Sequence, residues 1–497
     1  MELEFKKCND FWIDNGVENL YKIFRKIEKY HPDIESEIKP DKVILQFEDI
    51  NKFVDEMAKI VEELKYEKLL IEEKNKKTGI KKRVKKDYIL IQYGPKDSKG
   101  VNTLKEKIYI NPKDELNKIF DLIATEPKSS KSNKVCLCCG EKFSKEYQNM
   151  KQASYPMTTK IKSLGGIRGN AENYKEICPK CYLAGILEWA DDYLYKYLGD
   201  KSYMFIPYNF NLVKLKEFKD TYRIFLNNSN RYCNIGENRE IYGKYSALLK
   251  FYEYLIDNAK LNENPNIVWH IITVPNKDMK NIKVDKFEMI GEIFRVMKVT
   301  IGELDGDSLY GDFLNGIYIK GEGKNKIEWE GTNELREGIS EAFLTNNFRK
   351  FVKYFIPKNK YYIILNSDAR KILEKIIINW RWIKLGIPKE HLETIKKSGN
   401  VIAEVCIHNN LNLLYKLDKV RTSEEFWSVM REISRKMISL DAENTKYINP
   451  MVLGDLISLV KEYEKDWKEL RDLLEIYSCM YISIKQYKPE DNNNDNK

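Results

Sequence analysis

Long apolar runs are missing from this 497-residue chain, and histidine is scarce, at four residues. No stretch approaches the roughly 18 apolar residues of a membrane-spanning helix. The N-terminal MELEFKKCNDFWIDNGVENL carries acids early and lacks the apolar core of a signal peptide, so the expected location is cytoplasmic. His31, His270, His391 and His408 are far apart in sequence, and no His-Asp doublet, HExxH or GxSxG occurs. Nor is there a GxxxxGK phosphate loop. These absences remove the usual hydrolase, metalloprotease and NTPase constellations. His31 precedes Pro32 after a helical segment and reads as a cap or surface residue, and His270, within VWHIIT, as a hydrogen-bonded strand histidine. The acidic GELDGDSLYGD, with Glu303, Asp305, Asp307 and Asp312, lacks the ligand ladder of an EF-hand and reads as a solvated turn. A recognition or scaffold subunit is expected, not an enzyme.

What is present describes a globular protein of several domains. Hydrophobic residues make up 42% and charged residues 32%, and 32 tyrosines supply ample core material. A chain of this length exceeds one ordinary core. The net charge of +9 is modest, so its distribution matters more than its sum. Basic residues gather in particular loops, as in a protein that touches a phosphate backbone at selected places.

Periodicity assigns strands to 42–47, 88–93 and 107–110, and helices to 17–30 and 50–70. Between them KNKKTGIKKRVKK (74–86) is dense in Lys and Arg around a Thr78-Gly79 turn. TEPKSSKSNK (125–134) reads as a linker. YLAGILEWADDYLYKYLG (182–199) reads as a helix and NIVWHIITVP (266–275) as a strand. From about residue 336 helical periodicity dominates. Thr422 and Glu425 form a capping box, and Asn449-Pro450 opens a second long helix. Along that helix Leu456, Val460, Tyr463, Trp467, Leu470, Leu474 and Tyr477 form a single seam. The two helices are expected to pair antiparallel. The expected fold is α+β: an N-terminal α+β domain with a basic hairpin (1–134), an inserted zinc-binding module (135–185), a central α+β region (186–335) and a C-terminal helical bundle (336–490). The last PEDNNNDNK reads as disordered.

Five of the nine cysteines fall in KVCLCCGEKF (134–143) and EICPKCYLAG (176–185). Cys136, Cys139, Cys178 and Cys181 form CxxC…CxxC, whose paired knuckles point four thiolates at one tetrahedral ion with no open position. Gly140 lets the first knuckle close. A structural zinc is the expected occupant; an iron–sulfur cluster, a redox pair and chance clustering are the alternatives. Cys138 is a surplus thiol, and choosing it as ligand would leave the less usual CxC. Cys8, Cys233, Cys406 and Cys479 read as small buried hydrophobes.

Three segments are candidate nucleic-acid contacts. In the basic run, Lys81, Lys82, Arg83, Lys85 and Lys86 suit phosphates, unless the run is only a solvated hairpin. Between the cysteine pairs, KQASYPMTTKIKSLGGIRGN (151–170) has no acid; it offers Lys160, Lys162, Gly166, Arg168 and Asn170. Arg168 among glycines can fork onto a phosphate or a guanine edge. FRKFVKYFIPKNKYY (348–362) adds Arg349, Lys350 and Lys353, with Phe351, Tyr354 and Phe355 expected in the core rather than as stacking platforms.

The sequence CLCCGEKF…SYPMTTKIKSLGGIRGN…ICPKCYLAGILEWADD, with the overall length and helical last third, resembles the large subunit of a type I-B CRISPR Cascade complex, of the Thermotoga-type branch. The resemblance implies a non-catalytic subunit of an RNA-guided antiviral surveillance complex. Its implied partners are the CRISPR guide RNA, double-stranded target DNA and the backbone, 5′-handle-binding and small subunits, with no membrane. It implies recognition of the protospacer-adjacent motif, support of R-loop formation and recruitment of a helicase-nuclease. Such complexes leave sequence reading to base pairing, and the protein reads a short motif and backbone shape. The alternative is a zinc-ribbon nucleic-acid-processing enzyme with an unrecognised active site.

Overall fold

The computed structural model describes residues 1–66, 68–74, 81–87, 108, 111–124, 133–144, 177–188, 191, 195–198, 201–226, 242–257, 260–275, 283–304, 308–321, 327–358, 361–408, 411–442 and 451–486. The expected strands 88–93 and 107–110 lie outside these residues apart from Ile108. The chain divides into two compact units: Met1–Glu237 with Pro265–Glu288, and Asn238–Asn264 with Met289–Lys497. Cys136, Cys178 and Cys181 share one buried core with Trp12, Leu20 and Phe53 of the N-terminal segment.

The first unit begins with β1 (Glu2–Lys6), α1 (Phe11–Glu28), β2 (Ile34–Ile38), β3 (Lys42–Phe47), α2 (Ile50–Tyr66), β4 (Lys68–Lys74) and β5 (Lys81–Asp87). It continues through α3 (Pro112–Ala124), β6 (Asn133–Val135), β7 (Lys142–Ser144), α4 (Pro179–Leu187), β8 (Tyr195–Leu198), β9 (Lys201–Tyr208) and α5 (Leu212–Leu226), and closes with β10 (Val268–Pro275) and β11 (Lys283–Glu288). One antiparallel sheet has the order β1-β3-β2 and another β11-β10-β9-β8. Their registers pair Phe5 with Val43 and Trp269 with Pro207.

α1 is the axis of this unit. Asp10 caps it, accepting from the amides of Trp12 at 2.9 Å and Ile13 at 3.0 Å. Its first half is buried all round, including Asp14, Asn15, Glu18 and Asn19. Such burial is tolerable only with partners. Asn15 donates to Pro207 O (2.8 Å) at the end of β9, and Asn19 donates to Leu187 O (2.8 Å) at the end of α4. The Trp12 indole donates to Gly185 O at 2.9 Å. Gly16 makes the crossing possible: a Cβ there would lie 2.1 Å from Ala184 O. Lys219 of α5 is wholly buried and pairs with Glu18 (2.8 Å) and Asp191 (2.5 Å), tying α5, α1 and the segment after α4 together. Phe24, Phe47, Phe53 and Phe120 pack as rings 5.1–5.6 Å apart around Phe53.

The second unit contains α6 (Lys244–Asp257), α7 (Gly291–Glu303), α8 (Leu309–Asn315), β12 (Ile317–Gly321), β13 (Ile327–Glu328), α9 (Trp329–Leu344), α10 (Phe348–Lys353) and β14 (Tyr361–Leu365). It ends in α11 (Ser367–Leu385), α12 (Lys389–Ile407), α13 (Asn412–Lys419), α14 (Ser423–Ala442), α15 (Met451–Glu462) and α16 (Trp467–Gln486). Phe343, Phe348 and Phe351 surround Trp380, whose indole donates to Asn346 at 2.8 Å.

The C-terminal region is helical, with β14 completing the sheet β13-β12-β14. The expected capping residues are engaged: Glu425 N donates to Thr422 Oγ1 (3.2 Å), and Arg421 N to the Glu425 carboxylate (2.7 Å). Two expectations change. The single seam after Pro450 is broken by a short 3-10 turn at Glu464–Asp466, giving α15 and α16. And α16 packs chiefly on α12, not α14. Gly399 opens that contact, since a Cβ there would sit 2.7 Å from Tyr477 Cβ, and Ser478 donates to Gly399 O at 2.9 Å.

Candidate metal centre

Cys136 follows β6 and Cys139 closes the turn before β7. Two backbone bonds shape this knuckle: Cys136 N to Glu141 O (2.8 Å) and Gly140 N to Cys136 O (2.9 Å). Gly140 has φ +76°, the left-handed region that glycine enters without steric cost. Cys178 is the N-cap of α4, with Pro179 at the first helical position. Its sulfur accepts from Cys181 N at 3.5 Å, the local contact that CxxC at a helix start produces.

The four sulfurs lie within 4.8 Å of one another, and those of Cys139 and Cys178 are 3.6 Å apart. A regular tetrahedron with metal–sulfur bonds of about 2.3 Å has edges of about 3.8 Å, so this donor set fits an ion at its centre. Cys136, Cys178 and Cys181 are buried and Cys139 is half-buried. Four soft sulfur donors, three of them buried, form a site that can hold a metal ion with no fifth protein ligand needed. The thiols perturb one another strongly. Hydrogen bonds with Cys138 and then Cys139 hold the Cys136 thiol far below its ordinary range, while those with Cys136 push Cys178 and Cys181 up. Cys136, Cys139, Cys178 and Cys181 would hold a divalent ion as thiolates, which would remove that competition.

Around the tetrad lies a shell that spacing alone did not reveal. Cys8, expected to be an ordinary buried residue, meets Cys138 and Cys181; its hydrogen bonds with them lower its thiol to about 4. Cys138 is outside the group of four sulfurs that lie within 4.8 Å of one another. Glu141 receives Lys180 at 3.3 Å and Lys6 at 3.4 Å, placing two cations beside a thiolate-rich centre. Cys8 N donates to the buried Asp14 at 2.7 Å, and burial, with Cys8 nearby, raises that carboxyl to about 8. Tyr208 donates to the same carboxyl at 3.2 Å. Nothing in the local sequence of Cys8 marks it; only the tertiary contact of the β1–α1 turn with α4 does.

The nucleic-acid candidates are placed unevenly. Lys81, Lys82, Arg83, Lys85 and Lys86 all lie on β5, antiparallel to β4, with Lys82 opposite Glu73 and Arg83 opposite Glu72. Lys160, Lys162, Gly166, Arg168 and Asn170 lie outside the described residues. Arg349 departs from its expected role. Its guanidinium donates to Asp472 (2.8 Å), Glu475 and Asp418 (2.5 Å), so it joins α10 to α13 and α16 and is not offered to a phosphate. Lys350 pairs with Glu341 at 2.7 Å, whereas Lys353 is more than half exposed, with Asp418 at 4.0 Å. Phe351 and Phe355 are buried, as expected of core residues.

His270 sits on β10, buried and stacked on Phe11 with centroids 4.1 Å apart, but its Nδ1 has no partner. It is the strand residue expected, with Nδ1 left unsatisfied. Burial lowers it to about 4, so it is neutral at physiological pH. Among the described residues no helix is long and apolar enough to cross a membrane, and the four-cysteine tetrad is the group able to hold a metal ion. No protein-family model matches the chain, and no curated protein matches it.

Proposed function

We propose that this chain is the non-catalytic large subunit of an RNA-guided CRISPR surveillance complex, with zinc held by Cys136, Cys139, Cys178 and Cys181. The observation that carries the reading is the closed thiolate tetrad built into the core of the first unit. A four-sulfur site without an open position organises structure and performs no chemistry of its own. Together with the CLCCGEKF and ICPKCYLAG motifs and the basic strand β5, it supports a protein whose work is to hold and inspect nucleic acid.

In this reading zinc joins the β6–β7 knuckle to α4 and so sets the ends of the 151–170 segment, whose Arg168 inspects the protospacer-adjacent motif. Lys81, Lys82, Arg83, Lys85 and Lys86 meet phosphates of guide or target. Lys353 remains a candidate contact, and Arg349 is a structural bridge. Opening of the duplex and recruitment of the helicase-nuclease follow from assembly with the other subunits.

The deciding experiment is purification of the chain from its native cell, with mass spectrometry of its partners and sequencing of bound RNA. RNA of uniform length sharing one 5′ handle is expected, with about one zinc per chain by elemental analysis. Heterogeneous RNA, or cleavage of nucleic acid by the isolated chain, would instead favour a zinc-ribbon enzyme.

A further inference from the structure

We propose that Phe210, with Lys7, is a stacking site for one base of a single-stranded nucleic acid, held in position by the cysteine centre. The inference rests on the nucleic-acid reading above and names a contact surface it does not include.

Phe210 lies between β9 and α5 and is 66% exposed. The segment that carries it is pinned, so the exposure is a fixed presentation. Asn209 donates to Asn266 O at 2.8 Å and accepts from Asn211 N at 2.8 Å. Asn211 in turn caps α5, accepting from Val213 N at 2.9 Å and Lys214 N at 3.2 Å. Leu212 N donates to Pro40 O, fastening the segment to the β2–β3 turn. Beneath the ring stands Tyr208, edge-on at 5.2 Å.

The cation comes from the other side. Lys7 Nζ lies 5.5 Å from the centre of the Phe210 ring and donates to Asn9 at 2.8 Å; no carboxylate pairs with it among the described residues. Asn9 adopts φ +60°, which turns the chain sharply between β1 and α1. Between Lys7 and Asn9 is Cys8, whose thiol meets Cys138 and Cys181 and whose amide is held by Asp14. The half-buried Cys8 packs against the core and anchors the turn, and its two neighbours are left at the surface near Phe210. Lys7 N also donates to Asp41 O, so the 7–9, 40–41 and 209–212 segments converge.

An aromatic face with an unneutralised ammonium beside it is the pairing that single-strand binding proteins use: the ring takes a base and the cation its phosphate. The surroundings distinguish this from a protein-docking aromatic. Phe210 is flanked by Asn209 and Asn211, with Asn9 across the turn and the exposed Lys214 one turn into α5. Aromatic anchors of protein interfaces sit instead in apolar, desolvated surroundings.

The test measures binding of labelled oligothymidine and oligouridine by the purified zinc-loaded chain, compared with Phe210→Leu, Phe210→Trp and Lys7→Gln. Leucine keeps the bulk without the π-face, so Phe210→Leu should weaken binding about tenfold or more, and Phe210→Trp should match or exceed the native chain. Lys7→Gln should weaken binding and reduce the salt slope by about one unit. Thermal unfolding of Phe210→Leu should match the native chain, since the ring is exposed. The proposal falls if the native chain binds neither oligonucleotide, or if leucine binds as well as phenylalanine. It also falls if leucine and tryptophan are equally weak, or if Phe210→Leu impairs only assembly with another protein. Uniform guide RNA alongside unchanged oligonucleotide binding would overturn this site alone. Absence of guide RNA would overturn the broader reading and leave the Phe210→Leu comparison to decide this one.

Discussion

His270 shows what tertiary structure adds to a single residue. Its place in VWHIIT makes it a strand residue, and it is one, on β10. The sequence does not show that Phe11, from far upstream, covers the ring and leaves Nδ1 without a partner. Burial lowers its pKa from 6.5 to about 4. Between those values the unfolded chain binds the extra proton and the folded chain does not, so stability falls as pH drops through that window. Above about 6.5 the contribution is complete. His270→Leu should flatten the dependence of unfolding free energy on pH between 4 and 6.5, by up to about 1.4 kcal/mol per pH unit. Urea unfolding across that range measures it, and parallel slopes in variant and native chain would contradict the burial argument. Cys8 carries the same lesson. The CxxC pairs were legible because both ligands of a knuckle lie three residues apart, whereas Cys8 reaches the centre only through the fold.

Among the elements, legibility followed the source of the stabilising energy. β3 was read at its observed limits, 42–47, because alternation and flanking turns act locally. α1 was read from residue 17 but begins at Phe11, since Asp14, Asn15 and Gly16 resemble a turn. Their partners are the ends of α4 and β9, which no local pattern reveals. The helix expected over 182–199 stops at Leu187, and Tyr195–Leu198 pairs with β9 instead; sheet pairing overrode helical apolar spacing. The helix expected to reach residue 70 stops at Tyr66, and β4 takes the remainder to pair with the basic run. That pairing bears on β5. Its register sets Arg83 opposite Glu72 and Lys82 opposite Glu73 along the backbone ladder. Replacing Lys81, Lys82 and Arg83 by Ala should weaken binding to all nucleic-acid sequences alike. The plot of log affinity against log salt should flatten by about one unit for each phosphate left without its cation. An unchanged slope would make the hairpin a solvated one.

At the scale of the molecule, the metal centre and the C-terminal helices belong to separate cores. Structural zinc in finger peptides is worth roughly 10–16 kcal/mol of apparent binding energy near neutral pH, as much as a whole domain's stability. Stripping the metal with a strong chelator, or Cys178→Ser, should therefore collapse or sharply lower the calorimetric transition of Met1–Glu237 with Pro265–Glu288. The transition of the other unit should persist. A scan in which both transitions shift together, or neither does, would contradict that independence. The two units are also interleaved in the chain: 238–264 belongs to the second, and 265–288 returns to the first. On the ribosome, β8 and β9 emerge before α6, and β10 and β11 after it. Until residues 268–275 emerge, β9 lacks the neighbour that will stand between it and β11. Its hydrogen-bonding edge then lies open to any other extended segment. For the length of that wait, the nascent chain is most exposed to aggregation where its finished sheet is most fully paired. No cut at a single point between residues 238 and 288 can separate the units without taking from one of them a piece it needs to close.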